Sequence, residues 1–275
     1  MKIQVLGPLH AETGGVPVVP TAGKQRQILA LLALHAGQLV PVTTLVEEIW
    51  GPRPPRSART TVQTYVLRLR RTLAAALGGQ DGPARARELL ATGHGGYLLR
   101  AGEQDVDAFA FQREAQAGHA AFADGDSEAA ARRLRQALAR WQGPALLDVP
   151  AGAALRIQAA RLEESRLLAT ERRIDAELRL GLHSELLAEL VELTVRHPSN
   201  ERLHSQAMVA FYRSGRRSSA LGLYRQLRRR LVEELGLEPM PQLQRLHQAM
   251  LSVDPRLDMV AQGGRPTPTF DLYAA

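Results

Sequence analysis

Cysteine is absent from the 275 residues, which excludes disulfide scaffolds, thiolate metal sites and cysteine nucleophiles, and points to a reducing compartment. Long apolar runs are absent too. None approaches the roughly 20 residues of a membrane span, and Met1 to Pro8 alternates polar and apolar residues where a signal peptide would carry an apolar block. The expectation is a cytoplasmic, nucleoid-associated protein that neither spans a membrane nor leaves the cell. Aromatic residues make up 4% of the chain, too few for the stacking surfaces of single-strand or RNA binders. The eight histidines, His10, His35, His94, His119, His183, His197, His204 and His247, form no HExxH and no acidic-histidine cluster. No metal, no cofactor and no enzymatic site is expected.

Lysine is nearly absent as well: Lys2 and Lys24 are the only two, and arginine supplies the other cations behind a net charge of +7. Arginine in place of lysine is a compositional habit of GC-rich genomes, so the distribution of charge has to decide whether it marks a polyanion site. Residues 1–104 carry 12 Lys+Arg against 6 Asp+Glu, and residues 105–275 carry 23 against 22. The basic character belongs to the first third, which favours a polyanion-binding N-terminal domain followed by a nearly neutral one.

The first twenty residues read as short strands, with Ile3 and Val5 alternating, a Gly14-Gly15 turn, and Val16, Val18 and Val19 among prolines. A helical run from Lys24 carries Ile28, Leu31, Leu32 and Leu34 and stops near Gly37. In the next helix Thr44 and Glu47 have capping-box spacing, Leu45, Ile49 and Trp50 face inward, and Gly51-Pro52 ends it. After a proline-rich connector, Pro52 to Arg56, Ser57 stands as an N-cap.

The third helix, Ser57 to Leu77, is the informative one. Val62, Tyr65, Val66, Leu69 and Leu73 form one buried stripe, and Ser57, Thr60, Thr61, Thr64, Arg68 and Arg71 point away from it, flanked by Arg59, Gln63 and Arg70. No acidic residue occurs from Arg53 to Gln80. Leu67 projects towards the polar face, to contact a thymine methyl or to pack on the preceding loop. Gly78 to Arg87 reads as a flexible stretch, and Glu88 to Thr92, a Gly93-His94-Gly95-Gly96 tip and Tyr97 to Arg100 as a hairpin. Strands, three short helices and a glycine-tipped hairpin are the order of a winged helix-turn-helix, in which a carboxylate-free helix of hydroxyls and arginines can enter the major groove. The candidate DNA-binding residues are Thr43, Thr44, Arg59, Thr60, Thr61, Thr64, Arg68, Arg71 and His94. Thr43 and Thr44 could donate to phosphate or merely cap their helix, and His94 could reach the minor groove or simply face solvent. Lys24 and Arg26 read as a solvated helix start rather than as phosphate contacts.

From Asp105 onward the chain reads as almost continuous amphipathic helix. Gly125 is followed by Ala130 and Leu134, Gly181 by Leu186 and Leu190, and Gly215 by Ala220 and Tyr224, with the same offsets each time. That is tetratricopeptide-like helix-turn-helix logic, degenerate because a long helix, roughly Ala151 to Leu180, intervenes. The carboxylate pairs Glu47-Glu48, Glu163-Glu164 and Glu233-Glu234 read as surface pairing with arginine, and Arg228-Arg229-Arg230 as a salt-bridged helix face. Trp50 and Trp141 read as core anchors. Residues 255–275, and the chain from Asp254, lack periodicity and read as a disordered tail. The fold class is thus mainly α with a small β component: a winged helix-turn-helix in 1–104, then an all-α tetratricopeptide-like domain in 105–254.

These residues resemble a known family, the small Streptomyces antibiotic regulatory proteins. The resemblance rests on Val5-Leu6-Gly7-Pro8-Leu9, Lys24-Gln25-Arg26, Ile49-Trp50-Gly51, Ser57-Ala58-Arg59, Tyr65-Val66, Arg68-Leu69-Arg70-Arg71 and Gly96-Tyr97-Leu98-Leu99. It continues through Trp141-Gln142-Gly143, Glu201-Arg202-Leu203-His204, Tyr212-Arg213-Ser214-Gly215-Arg216 and Glu234-Leu235-Gly236-Leu237-Glu238-Pro239. It implies an OmpR/PhoB-type winged helix joined to a bacterial transcriptional activation domain. It further implies a pathway-specific activator that binds direct repeats of double-stranded DNA near promoters of secondary-metabolite clusters and recruits RNA polymerase holoenzyme. Two copies head to tail, a homodimer on DNA, would match repeated half-sites. No GxxxxGK[ST] loop is present, so no ATPase is expected. A tetratricopeptide-like adaptor is the alternative, opposed by the concentration of charge in 1–104. A repressor would share the same DNA-binding domain.

Overall fold

The computed structural model describes residues 1–257, arranged as two compact units, each contributed by two stretches of chain. The first unit comprises Met1–Gln116 and Gln136–Leu167; the second comprises Ala117–Arg135 and the chain from Leu168 on.

The first unit opens with an antiparallel sheet of β1 (Lys2–Gln4), β2 (His10–Thr13) and β3 (Val16–Pro17), in that order. Helix α1 (Gly23–Leu34) follows and is buried from Ile28 through Ala33, as its unbroken apolar run requires. Strand β4 (Leu39–Pro41) leads directly into α2 (Val42–Trp50), and α3 (Ala58–Leu77) packs on both α1 and α2. Val62, Val66, Leu69 and Leu73 of α3 are at most 3% exposed, so the stripe read from their spacing is the core face. The wing is β5 (Leu90–Gly93) and β6 (Gly96–Leu99), with β4 completing the sheet in the order β4-β6-β5. Gly93 pairs with Gly96, leaving His94-Gly95 as the loop. A side chain at Gly96 would meet the Val40 carbonyl at 2.3 Å, so this crossing admits only glycine.

Three details of the elements within residues 1–104 differ from the sequence reading. Gly78 to Arg87 is not a flexible stretch: Gly78, at φ +63, ends α3, and Pro83 opens a further helix, α4 (Gly82–Leu89), which packs on α3 with Ala86 fully buried. Proline at the start and Arg, Ala, Glu and Leu behind it were the overlooked signals. Glu88 and Leu89 therefore belong to that helix and not to the hairpin. The capping box at Thr44 and Glu47 does not form either. Pro41 is the N-cap, no side chain caps α2, and the Val42 amide donates to the Gly95 carbonyl at 2.9 Å, because β4 delivers the chain into the helix without a turn.

Helix α5 (Asp107–Ala123) and α6 (Ser127–Leu138) each run from one stretch of the division to the next, as does the long α7 (Ala153–Arg179). Between α6 and α7, residues 139–152 are irregular, which interrupts the continuous helix expected there. The first unit needs this segment: Gln142, Leu146 and Leu147 donate amide hydrogens to the carbonyls of Leu6, Val5 and Gly7, an arrangement no helix could present. Trp141 packs edge-on against Phe111 at 5.3 Å with the Arg166 guanidinium over its ring, and Trp50 is half-buried under Lys24.

In the second unit, α8 (Leu187–Arg196), α9 (Glu201–Arg213), α10 (Arg217–Arg230) and α11 (Pro241–Ser252) form successive packed pairs. The three anchoring glycines, Gly125, Gly181 and Gly215, have φ of +83, +84 and +74, the left-handed conformation that makes glycine the residue of a tight helix-to-helix turn. Ala130, Leu134, Leu186, Leu190, Ala220 and Tyr224, placed by the repeated offsets, are all buried. Asn200 caps α9 by accepting from the Leu203 amide at 3.0 Å. Pro255–Leu257 forms a short 3-10 turn with Leu257 buried and its carbonyl held by Arg213, so these three residues are ordered where a disordered tail was expected; the rest of that expectation, residues 258–275, lies outside the described residues. No helix of the described residues is long and apolar enough to cross a membrane.

Candidate nucleic-acid interface

The stripe of α3 opposite its core face carries Arg59, Thr60, Gln63, Thr64, Leu67, Arg68 and Arg71, all exposed, with Thr61 half-buried at its edge. The spacing is i, i+1, i+4, i+5, i+8, i+9 and i+12, one continuous ridge along the helix. Arg59, Arg68 and Arg71 form no hydrogen bond or ion pair through their side chains among the described residues. In a chain with 28 acidic residues this freedom follows from the missing carboxylates of residues 53–80. Three guanidiniums with five donors each stand ready for guanine edges or phosphate oxygens. Leu67 is 46% exposed in the middle of the ridge, so it is not covered by the preceding loop and offers an apolar contact instead.

The hydroxyls have mixed availability. Thr61 Oγ1 donates to the Ser57 carbonyl at 2.9 Å and Thr64 Oγ1 to the Thr60 carbonyl at 3.1 Å, which leaves acceptor lone pairs and a methyl outward; Thr60 makes no such bond. Ser57 is the N-cap residue, yet it serves through its carbonyl, which accepts from the Thr61 amide and hydroxyl, and not through its own side chain.

Arg70 does a different task from its neighbours. Its Nε and Nη2 donate to the Leu90 carbonyl at 2.8 and 2.6 Å, Nη2 also donates to Thr92 Oγ1 at 2.8 Å, and the guanidinium lies 5.9 Å from the centre of the Tyr97 ring. It therefore ties α3 to both strands of the wing. Partial burial lowers its pKa below the ordinary arginine value, opposed by the Tyr97 hydroxyl, and burial raises that of Tyr97.

Thr43 is exposed and Thr44 half-buried in the first turn of α2, and His94 is exposed at the wing tip. The Val42 amide bonded to Gly95 places that tip beside the start of α2. Arg26 is withdrawn from any such surface: it pairs with Asp148 and donates to the Pro20 carbonyl. The solvated reading of Arg26 fails because residues 139–152 cover that side of α1.

Sequence reasoning missed three carboxylates that hold this scaffold together, Glu48 buried, Asp107 half-buried and Asp148 exposed. Glu48 is 3% exposed, not a surface partner for arginine; its carboxylate accepts from the amides of Gly152, Ala154 at 2.9 Å and Leu155 at 3.1 Å, the open N-terminus of α7. Asp107 accepts from the Val5 and Leu6 amides at 2.8 and 3.1 Å, and burial raises its pKa against those bonds. Asp148 accepts from the Leu9 amide at 2.7 Å, and that bond together with Arg26 outweighs the opposing effect of burial, leaving its pKa lowered. A carboxylate at the last turn of an amphipathic helix, as Glu48 is, was the only available signal. No group of three or more His, Asp and Glu that could hold a metal ion occurs among the described residues.

The comparisons agree with this geometry. The family model described as "Transcriptional regulatory protein, C terminal" matches residues 17–98, and that described as "Bacterial transcriptional activator domain" matches residues 106–251. Regulatory protein DnrI of Streptomyces peucetius is 49% identical over 259 residues, 94% of each chain. Transcriptional regulator RedD of Streptomyces coelicolor is 38% identical over 94% of this chain and 72% of its own. Regulatory protein AfsR of Streptomyces griseus is 38% identical over 97% of this chain, which spans only 26% of AfsR. Among solved structures, Mycobacterium tuberculosis EmbR in complex with a low affinity phosphopeptide superposes with a TM-score of 0.84 at 33% identity, covering 99% of this chain and 69% of that one. With both models in this order, a relative of equal length and a winged helix followed by tetratricopeptide-like helices, the chain belongs to the Streptomyces antibiotic regulatory protein family of transcriptional activators.

Proposed function

We propose that this activator reads direct repeats of double-stranded DNA near the promoters of one secondary-metabolite cluster, laying the exposed ridge of α3 in the major groove and the His94-Gly95 tip in the adjacent minor groove. The observation that carries the reading is the ridge itself: unpaired Arg59, Arg68 and Arg71 with no carboxylate among them, on a helix braced to its wing by Arg70. Arg68 and Arg71 supply base or phosphate contacts, Thr60, Thr61 and Thr64 line the groove, and Thr43 and Thr44 set α2 against a phosphate. Two copies bind head to tail, the arrangement that fits repeated half-sites, and the helical unit engages RNA polymerase. In this reading the protein works without catalysis, in the cytoplasm, at the nucleoid.

The test is selection of genomic fragments by the purified protein, followed by footprinting at two salt concentrations with wild type and Arg68→Ala. A protected pair of direct repeats, weakened by about 1–3 kcal/mol in Arg68→Ala if that residue reads a base and salt-sensitive throughout, is the expected result. Absence of enrichment even at low salt overturns the proposal.

A further inference from the structure

A cavity of about 750 Å³ lies between α10 and α11, in the second unit, on residues that the DNA-binding reading does not use. Its floor is a stacked ring pair: Tyr224 and His247 lie 3.8 Å apart between centroids and 9° from parallel. Leu221, Val232 and Leu251 provide apolar wall, and Val232 and Leu251 remain 42% and 44% exposed. They give the cavity an apolar side open to solvent.

The polar part of the lining is cationic. Arg225, Arg228 and Arg229 face it, with Glu233 as the one carboxylate. Arg228 is held by a two-pronged bond to Glu238, at 2.8 and 2.7 Å. Arg225 and Arg229 make no ion pair or hydrogen bond through their side chains among the described residues. They sit one helical turn apart, at the spacing where two guanidiniums can converge on one acidic group. Burial, and the nearby Arg225 charge, lower the pKa of His247, which favours the neutral form of its ring.

We propose that this cavity binds a small planar organic anion, an aromatic carboxylate or sulfonate, whose rings lie against the Tyr224–His247 pair and whose acidic group is clamped by Arg225 and Arg229. The volume is that of small-molecule sites, which run to about 300–1,000 Å³. The mixture of an aromatic floor, apolar walls and two guanidiniums without a protein partner selects for charge and planarity together. An uncharged ring system would leave both guanidiniums without partners, and an inorganic anion would leave the apolar wall wet.

The test uses the full chain and 1-anilinonaphthalene-8-sulfonate as the probe, with uncharged N-phenyl-1-naphthylamine as its match. Saturable fluorescence enhancement at one site per chain is expected, with a shift of the His247 Cε1–H resonance. Arg225→Gln with Arg229→Gln weakens binding about tenfold or more, while the circular dichroism, Tm and DNA footprint stay unchanged, since both side chains are exposed and unpaired. Equal affinity for the uncharged dye, or sulfonate binding indifferent to the double substitution, overturns the proposal. So does displacement of the probe by an acidic amphipathic peptide at lower concentration than by 1-naphthoate, which would make the groove a protein-docking surface.

Discussion

Arginine serves opposite purposes in the two halves of this chain. On α3 the guanidiniums of Arg59, Arg68 and Arg71 stand free, whereas in the helical unit they are mostly spent. Arg135 and Arg173 bond Glu177 at 2.6 and 2.8 Å, Arg173 reaches Glu189 at 2.5 Å, Arg202 pairs with the buried Asp175, and Arg230 pairs with Glu234 at 2.9 Å. Composition cannot tell these uses apart, because the residue is the same. What separates them is the local supply of carboxylates: none from residue 53 to 80, and near parity from 105 on. A cation is left available to an outside partner when the fold withholds its counter-charge, and becomes a structural one when the fold supplies it.

The largest effect should come from breaking a pair in the helical unit. Glu177 is 2% exposed and holds two guanidiniums, so Glu177→Ala should cost about 3 kcal/mol, less than a fully buried network because Arg135 is half in solvent. Urea unfolding measures it; an unchanged midpoint would place these pairs with ordinary surface pairs and dissolve the contrast.

Arg70 is the case between the two classes, an α3 arginine given structural partners. Arg70→Ala should lower stability by about 1–2 kcal/mol through the lost charged bonds to Leu90 and Thr92, and should weaken DNA binding across all sequences by freeing the wing. Arg70→Lys should not restore it, since an ammonium cannot reproduce the fork. Retention of full affinity and wing order in Arg70→Ala, by titration and amide exchange, would move Arg70 into the idle part of the comparison.

The smallest effect concerns acid. Burial lowers the pKa of His204 below the ordinary 6.5, reinforced by Arg230 and opposed by the bond to the Asn200 carbonyl, and burial with Arg172 lowers that of His119. The unfolded chain then binds more protons, so the stability these residues contribute is complete above 6.5 and is lost as pH falls through that value towards the folded pKa. Melting at pH 7.5 and 5.5 should show a lower Tm in acid, with a smaller fall in His204→Gln; equal Tm values would contradict it.

Much of this was readable residue by residue. The i, i+3, i+4, i+7 spacing of Val62, Tyr65 or Val66, and Leu69 specified the buried side of α3 and hence the ridge, and the glycines at 125, 181 and 215 marked their turns because few other residues tolerate positive φ. Helix α4 was hidden because its short amphipathic pattern sits behind two glycines that read as a linker. Glu48, Asp107, Asp148 and Arg26 were illegible for a deeper reason: a charged residue on a helix looks the same in sequence whether it faces water or three amides more than a hundred positions away.

By itself, then, the sequence determined the local choices: most element types, the core stripe of α3, the tight turns and the carboxylate-free stretch that gives the ridge its charge. These depend on near neighbours and on backbone sterics. Only the tertiary structure decided which arginines stay free, that Arg70 braces the wing, that Glu48 caps α7, and that Tyr224 and His247 meet under an unpaired pair of guanidiniums. Those outcomes depend on groups 20 to 110 residues apart, and desolvation, which acts on whatever the fold brings together, sets their energies.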